Sequence, residues 1–177
     1  SGRVMLLDAS MNPLWRVELK TSLVGGAALD ATAVYVIAAD GRLFALHRAD
    51  GTTRFAVQLP DASHVPAVVD GGLVFVKTVN GQLLALDAET GAIRWVEEVA
   101  EASMGIQGGS PMSLDNGILR VLWESGRLVS YEAASGRILW ERQVALPRGR
   151  NPVSRIVDSK GAPSVRNGLL ATASRNS

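Results

Sequence analysis

The sequence predicts an all-β fold, a β-propeller of four-stranded antiparallel blades, and three observations predict it. One phrase recurs at Gly41 to Phe55, Gly81 to Trp95 and Gly126 to Trp140: Gly, any residue, two apolar residues, a small one, another apolar one, a few polar or small residues, a second Gly, then an aromatic. The aromatics stand at 15, 55, 95 and 140, a period of 40, 40 and 45 residues, which is the length of one propeller blade. Throughout the chain the segments carry strand and turn signals and none sustains a 3.6-residue period.

The elements follow in order. An abbreviated copy opens the chain from Gly2 to Trp15, one residue shorter than the others, with Asn12-Pro13 where the second Gly would stand. Each full copy is preceded by a short apolar segment, AVYVIAADG (33–41), LVFVKTVNG (73–81) or ILRVLWESG (118–126), whose closing Asp-Gly, Asn-Gly or Ser-Gly pair is a hairpin signal. Gly accepts the positive φ that a tight turn matched to the sheet's twist demands. A second turn falls at Ala49-Asp50-Gly51, Glu89-Thr90-Gly91 and Ala134-Ser135-Gly136, after which Arg54–Val57, Arg94–Glu97 and Leu139–Arg142 supply outer strands. Pro66–Val69, Pro111–Leu114 and Pro163–Val165 supply inner ones. An aromatic recurring in register on the outer strand reads as a cover for the neighbouring sheet, since a Trp buries on the order of 150–250 Å².

The chain therefore reads as a single partial propeller over residues 1–177, with blade repeats at about 26–60, 66–100 and 110–145 and partial blades at 1–20 and 162–177. Two half-blades at the ends either meet to close a small four-bladed ring or belong to a longer propeller.

Composition excludes several functions. Eighteen basic and 17 acidic residues nearly cancel, so no polyanion is implied and nucleic acid is not a partner. Cys is absent, which removes disulfides, thiolate zinc sites and a cysteine nucleophile. No run of about 18 apolar residues occurs. The opening SGRVMLLDAS resembles neither a signal peptide nor a lipid-attachment site, so a leader would have been removed or lie upstream.

Catalytic constellations are missing from the sequence. His47 and His64 are the only histidines, neither stands in a cluster at metal-ligand spacing, and His47 takes the turn position that Asp87 holds in the next repeat. No G-x-S-x-G occurs. Gly105 to Ser110 is Gly-rich without the Lys and helix of a phosphate loop, and it reads as an exposed interaction loop or a plain blade connection. From Arg142 to Arg166 six basic residues face one acidic residue, Asp158, and Leu146 to Pro152 lengthens that connection. Long loops on a rigid scaffold commonly carry binding. The expectation is a protein without catalysis and without a cofactor.

The ALDAxTGxxxW pattern resembles the quinoprotein-type propeller repeat. Within that group, two further segments resemble the propeller lipoprotein subunit of the outer-membrane β-barrel assembly machine, the BAM complex. One is Ser103-Met104-Gly105-Ile106-Gln107-Gly108-Gly109-Ser110-Pro111; the other is Arg155-Ile156-Val157-Asp158-Ser159-Lys160-Gly161-Ala162-Pro163. The resemblance implies eight blades, of which this chain would cover roughly half. It also implies that the two loops dock together onto periplasmic domains of the barrel-forming subunit, on the periplasmic face of the outer membrane. Any membrane attachment would come through a lipid anchor outside this chain.

Carried over by position, the partner-binding residues are Met104, Ile106, Gln107, Arg155, Asp158 and Lys160, with Gln107 and Lys160 standing where the family pattern has a basic and an acidic residue. Unfolded outer-membrane proteins, held by edge pairing, are a further partner the resemblance suggests. The alternative is a fragment of a quinone-dependent dehydrogenase. Those enzymes typically hold their quinone against a vicinal disulfide with a calcium ion among acidic and amide side chains, and the absence of Cys and of such a cluster argues against this alternative.

Overall fold

The computed structural model describes residues 2–99, 112–144, 164–166 and 169–171. All elements among these are strands, in antiparallel sheets. β1 (Gly2–Leu7) and β2 (Pro13–Leu19) form a two-stranded sheet. β3 (Leu23–Leu29), β4 (Ala33–Ala38), β5 (Arg42–His47) and β6 (Thr53–Gln58) form the first four-stranded sheet in chain order. β7 (Val68–Asp70), β8 (Leu73–Lys77), β9 (Gln82–Asp87) and β10 (Ile93–Glu98) form the second. β11 (Ser113–Asp115), β12 (Ile118–Leu122), β13 (Arg127–Glu132) and β14 (Ile138–Gln143) form the third. β15 (Ser164–Arg166) and β16 (Leu169–Ala171) pair as a further hairpin.

Middle strands are buried on both faces and accordingly read as unbroken apolar runs: AVYVIA in β4 is buried throughout, whereas β6 and β10 alternate. Alternate residues of each sheet feed two different cores. Tyr35, Ile37, Leu43 and Ala45 on one face of the first sheet join Val74, Val76, Leu84 and Leu86 of the second. Phe75, Leu83 and Ala85 on the second sheet's other face join Leu119, Val121, Val129 and Tyr131 of the third. Val34, Val36, Phe44 and Leu46 close against Val4 and Leu19 of the first hairpin. Sheet packs on sheet in sequence order, as blades do.

Among the described residues, the outer strands β2, β6, β10 and β14 carry the same irregularity. Phe55 faces Ala45 but Thr53 faces Leu46, leaving Arg54 as an extra residue; Trp95 with Ile93, Trp140 with Ile138 and Trp15 with Pro13 repeat the shift. This bulge bends and twists the outer strand immediately before the aromatic.

The turn that follows each Gly-initiated strand is closed by its own side chains. Asp87 accepts from the backbone N–H of Glu89 and Thr90 at 3.1 and 2.9 Å and from the Arg94 guanidinium at 2.6 Å. Those donors, Arg94 foremost, hold its carboxyl well below the usual carboxylate range. The turn ends on Gly91 at φ +73°, and a Cβ there would lie 2.9 Å from the Phe55 ring of the preceding sheet, so Gly is required by both conformation and space. In the first hairpin Met11 takes this left-handed place at φ 65°.

Candidate functional site

The long connections leave from one type of blade end. The residue after each outer strand donates its N–H to the carbonyl of the hairpin glycine: Leu59 to Gly41, Val99 to Gly81 and Val144 to Gly126, at 2.9, 2.9 and 3.0 Å. The departing chain is thereby pinned in the same way three times. The first connection is short and tucked in, with Leu59, Ser63, Val65 and Ala67 all buried and the Ser63 hydroxyl donating to the Val65 carbonyl at 3.0 Å. The second connection lengthens to residues 99–112 and the third to 144–163. Met104, Ile106, Gln107, Arg155, Asp158 and Lys160 fall in these two and lie outside the described residues.

What is described is the platform beneath them. Polar pairs line this end: the Arg42 guanidinium meets Asp40 at 2.7 Å and stacks 4.9 Å from the Phe44 ring centroid. Hydrogen bonding from Arg42 lowers the Asp40 pKa. Gln82 donates to Glu98 at 2.9 Å, Gln143 to the Ser125 carbonyl at 2.8 Å, and Arg127 pairs with Glu141. Such exposed pairs contribute little to stability, on the order of 0–1 kcal/mol each, and keep the rim solvated.

Lys77 lies deeper. Its side chain is 4% exposed; its ammonium donates to the Leu122 carbonyl of the next sheet at 3.2 Å, lies 3.9 Å from Glu124 and sits 5.2 Å from the Trp123 ring centroid. It ties the second sheet to the third directly under the loop-bearing end. Sequence reasoning missed Lys77, although it stands in the register column held by Leu122 and the apolar Ile37.

At the opposite end Tyr35 makes the corresponding tie. Its hydroxyl lies 2.8 Å from Asp30 Oδ2 and 3.2 Å from the Ala88 carbonyl of the next sheet. Burial and the Asp30 carboxylate push its pKa up. His47 ends β5 in the turn position of Asp87, as expected. Among the described residues no group of three or more His, Asp or Glu side chains could hold a metal ion.

Over residues 1–177 the sequence matches the family model described as outer membrane protein assembly factor BamB. The chain belongs to the BamB family. The crystal structure of BamB from Moraxella catarrhalis superposes with a TM-score of 0.89 at 26% identity, covering 98% of this chain and 53% of that one. The chain thus spans about half the length of that BamB. The computationally designed Ika4 protein aligns with a TM-score of 0.69 at 12% identity over 92% of this chain and 91% of its own, a likeness of fold alone. Quinohemoprotein alcohol dehydrogenase from Comamonas testosteroni aligns with a TM-score of 0.62 at 18% identity, covering 96% of this chain and 36% of that one; this too is a likeness of fold. Among curated proteins none matches the sequence.

Proposed function

We propose that this chain is a non-catalytic scaffold of outer-membrane protein assembly that docks, through residues 103–111 and 155–163, onto periplasmic domains of the barrel-forming subunit. Membership of the BamB family over the whole chain carries the reading. Two features of the platform support it. The strands flanking both segments are equivalent, β10 to β11 and β14 to β15, so the segments leave from the same end of adjoining units. Beneath them the sheets are locked by buried cross-sheet contacts such as Lys77 to Leu122, which makes the platform rigid enough to preorganise loops.

In this reading Met104 and Ile106 supply apolar anchor area, while Gln107, Arg155, Asp158 and Lys160 orient the partner. The protein works at the periplasmic face of the outer membrane, held there by a lipid anchor outside this chain. Unfolded outer-membrane proteins are a second class of partner, held by pairing with exposed outer strands such as β14. Titration against the periplasmic domains of the barrel-forming subunit tests the docking. Ile106→Asp and Asp158→Arg should each weaken binding more than tenfold, about 1.4 kcal/mol, with unchanged melting temperature. Parent-like binding by both variants would reject the assignment of these residues.

A further inference from the structure

Each sheet carries a row of residues across its strands on the face turned toward the next unit. In the first sheet the row is Ala28, Tyr35, Ala45, Phe55; in the second it is Val68, Phe75, Ala85, Trp95. Both rows are packed into the cores formed with the following sheet. In the third sheet the same register positions read Ser113, Arg120, Ser130, Trp140. An apolar joint has been replaced by three polar side chains side by side.

These groups are not satisfied where they stand. Arg120 is 9% exposed and Ser130 is fully buried, and the hydroxyls of Ser130 and Ser113 are buried without a hydrogen-bond partner among the described residues. The one hydrogen bond that Arg120 makes among those residues is a long one, 3.5 Å to the Ile118 carbonyl. No carboxylate among them lies within ion-pair distance of it. A guanidinium has five N–H donors and keeps its charge, so burial without an acceptor is strongly unfavourable. Residues directly opposite on antiparallel strands have Cβ atoms about 4.5–5.5 Å apart, which brings both hydroxyls beside the guanidinium on one face.

Three adjacent donors with one fixed positive charge fit an oxyanion, and the planar fork of Arg fits a carboxylate two-point. Ser113 lies on the innermost strand and is the least buried residue of the three, though its hydroxyl is itself buried. We propose that Ser113, Arg120 and Ser130 form a carboxylate-binding site in the joint that follows the third sheet. The carboxylate is either a free small anion or an acidic side chain of the polypeptide covering that face.

Melting curves in sodium formate and in sodium chloride at matched ionic strength test this for the parent, Arg120→Met and Ser113→Asp. Ser113→Asp places a carboxylate directly opposite Arg120 at the least buried of the three polar positions. If the carboxylate is free, formate raises the parent melting temperature saturably by a few degrees over chloride. Arg120→Met then loses that response, and Ser113→Asp melts higher than the parent and loses it too. If the carboxylate belongs to the polypeptide, formate has no specific effect, Arg120→Met melts lower, and Ser113→Asp also melts lower because it adds a second negative charge. The proposal is overturned if formate has no specific effect and either Arg120→Met melts at or above the parent or Ser113→Asp melts above it.

Discussion

The indole N–H of Trp95 donates to the carbonyl of Ala133, 38 residues further on, at 3.1 Å, and the same ring covers Gly136 so closely that a Cβ there would lie 2.9 Å from it. Trp15 repeats the relationship with the Arg48 carbonyl at 2.8 Å and with Gly51. Phe55, without a donor, keeps only the contact with Gly91. The outer-strand aromatic is thus a latch on the next unit's turn. Trp140, the fourth in register, is 37% exposed.

Gly136→Ala should unlatch this joint. A left-handed φ of +75° costs a residue with a Cβ about 1–2 kcal/mol, and overlap with the Trp95 ring adds about 1–3 kcal/mol. Gly71→Ala is the control: its φ is +57° but nothing lies within 4 Å, so only the conformational part should appear. Urea denaturation of the two variants checks the difference, and equal losses would show that the latch contributes nothing.

Trp95→Ala removes a ring that packs 5.9 Å from the Phe75 centroid and joins the second sheet to the third. The expected loss is about 3 kcal/mol, at the low end for aromatic truncation because the ring is half-buried. A loss below about 1 kcal/mol in the same denaturation experiment would count against the joint.

Lys77→Ala should be more costly than Lys77→Met. Both variants remove the donor to the Leu122 carbonyl and the partner of Glu124, but alanine also leaves a void beside Trp123 that Met fills. Losing one partner of a buried pair costs both variants alike, so the cavity sets the difference and a gap of about 2 kcal/mol between them is expected. Chemical denaturation of both reads it directly.

Asp87 makes stability depend on acid. Its folded pKa is depressed below the ordinary 3.8, chiefly by Arg94, so its contribution is fully present above that value and is lost as pH falls through the folded pKa. The melting-temperature gap between the parent and Asp87→Asn should be widest near neutrality and narrow below about pH 4. A gap that stays constant down to pH 2 would reject the ion-pair account.

The two tyrosines should resist ionisation. Burial pushes the Tyr131 phenol up to about 12, and Tyr35 is raised by burial and by Asp30. Both favour the neutral form in the folded state, so their contribution is present below pH 10 and disappears as pH rises through the folded values. Absorbance at 295 nm should stay flat through pH 10–11 and rise only with unfolding; ordinary titration near pH 10 would show open rings.

Strands and turns were legible in the sequence because their causes are local. Asp87 to Gly91 closes its turn with hydrogen bonds reaching no further than Arg94, and the positive φ at Gly51, Gly91 and Gly136 leaves a mark that recurs with the blade period. The inner strand Leu23–Leu29 carries no clear strand signal, since LVGGAAL alternates poorly and its pairing with β4 breaks between Val24 and Ala28. The docking residues came from resemblance to a family, because nothing local distinguishes a binding loop from a blade connection. Arg120 was hidden for a related reason: it becomes visible only when the register places it in the column of Tyr35 and Phe75.

By itself, the sequence determined the all-β class, the period of the units and the place of each hairpin, all of which follow from φ requirements and apolar alternation within a few residues. Only the tertiary structure decided that the aromatics reach the next turn as well as the core shared with the next sheet. It also decided which cations are buried and which register column turns polar. These depend on partners 33 to 45 residues away, as in Trp15 with Arg48 and Lys77 with Leu122. A side chain's energy is set by what its neighbour removes from water, and that neighbour is chosen by the stacking of sheets rather than by the chain beside it.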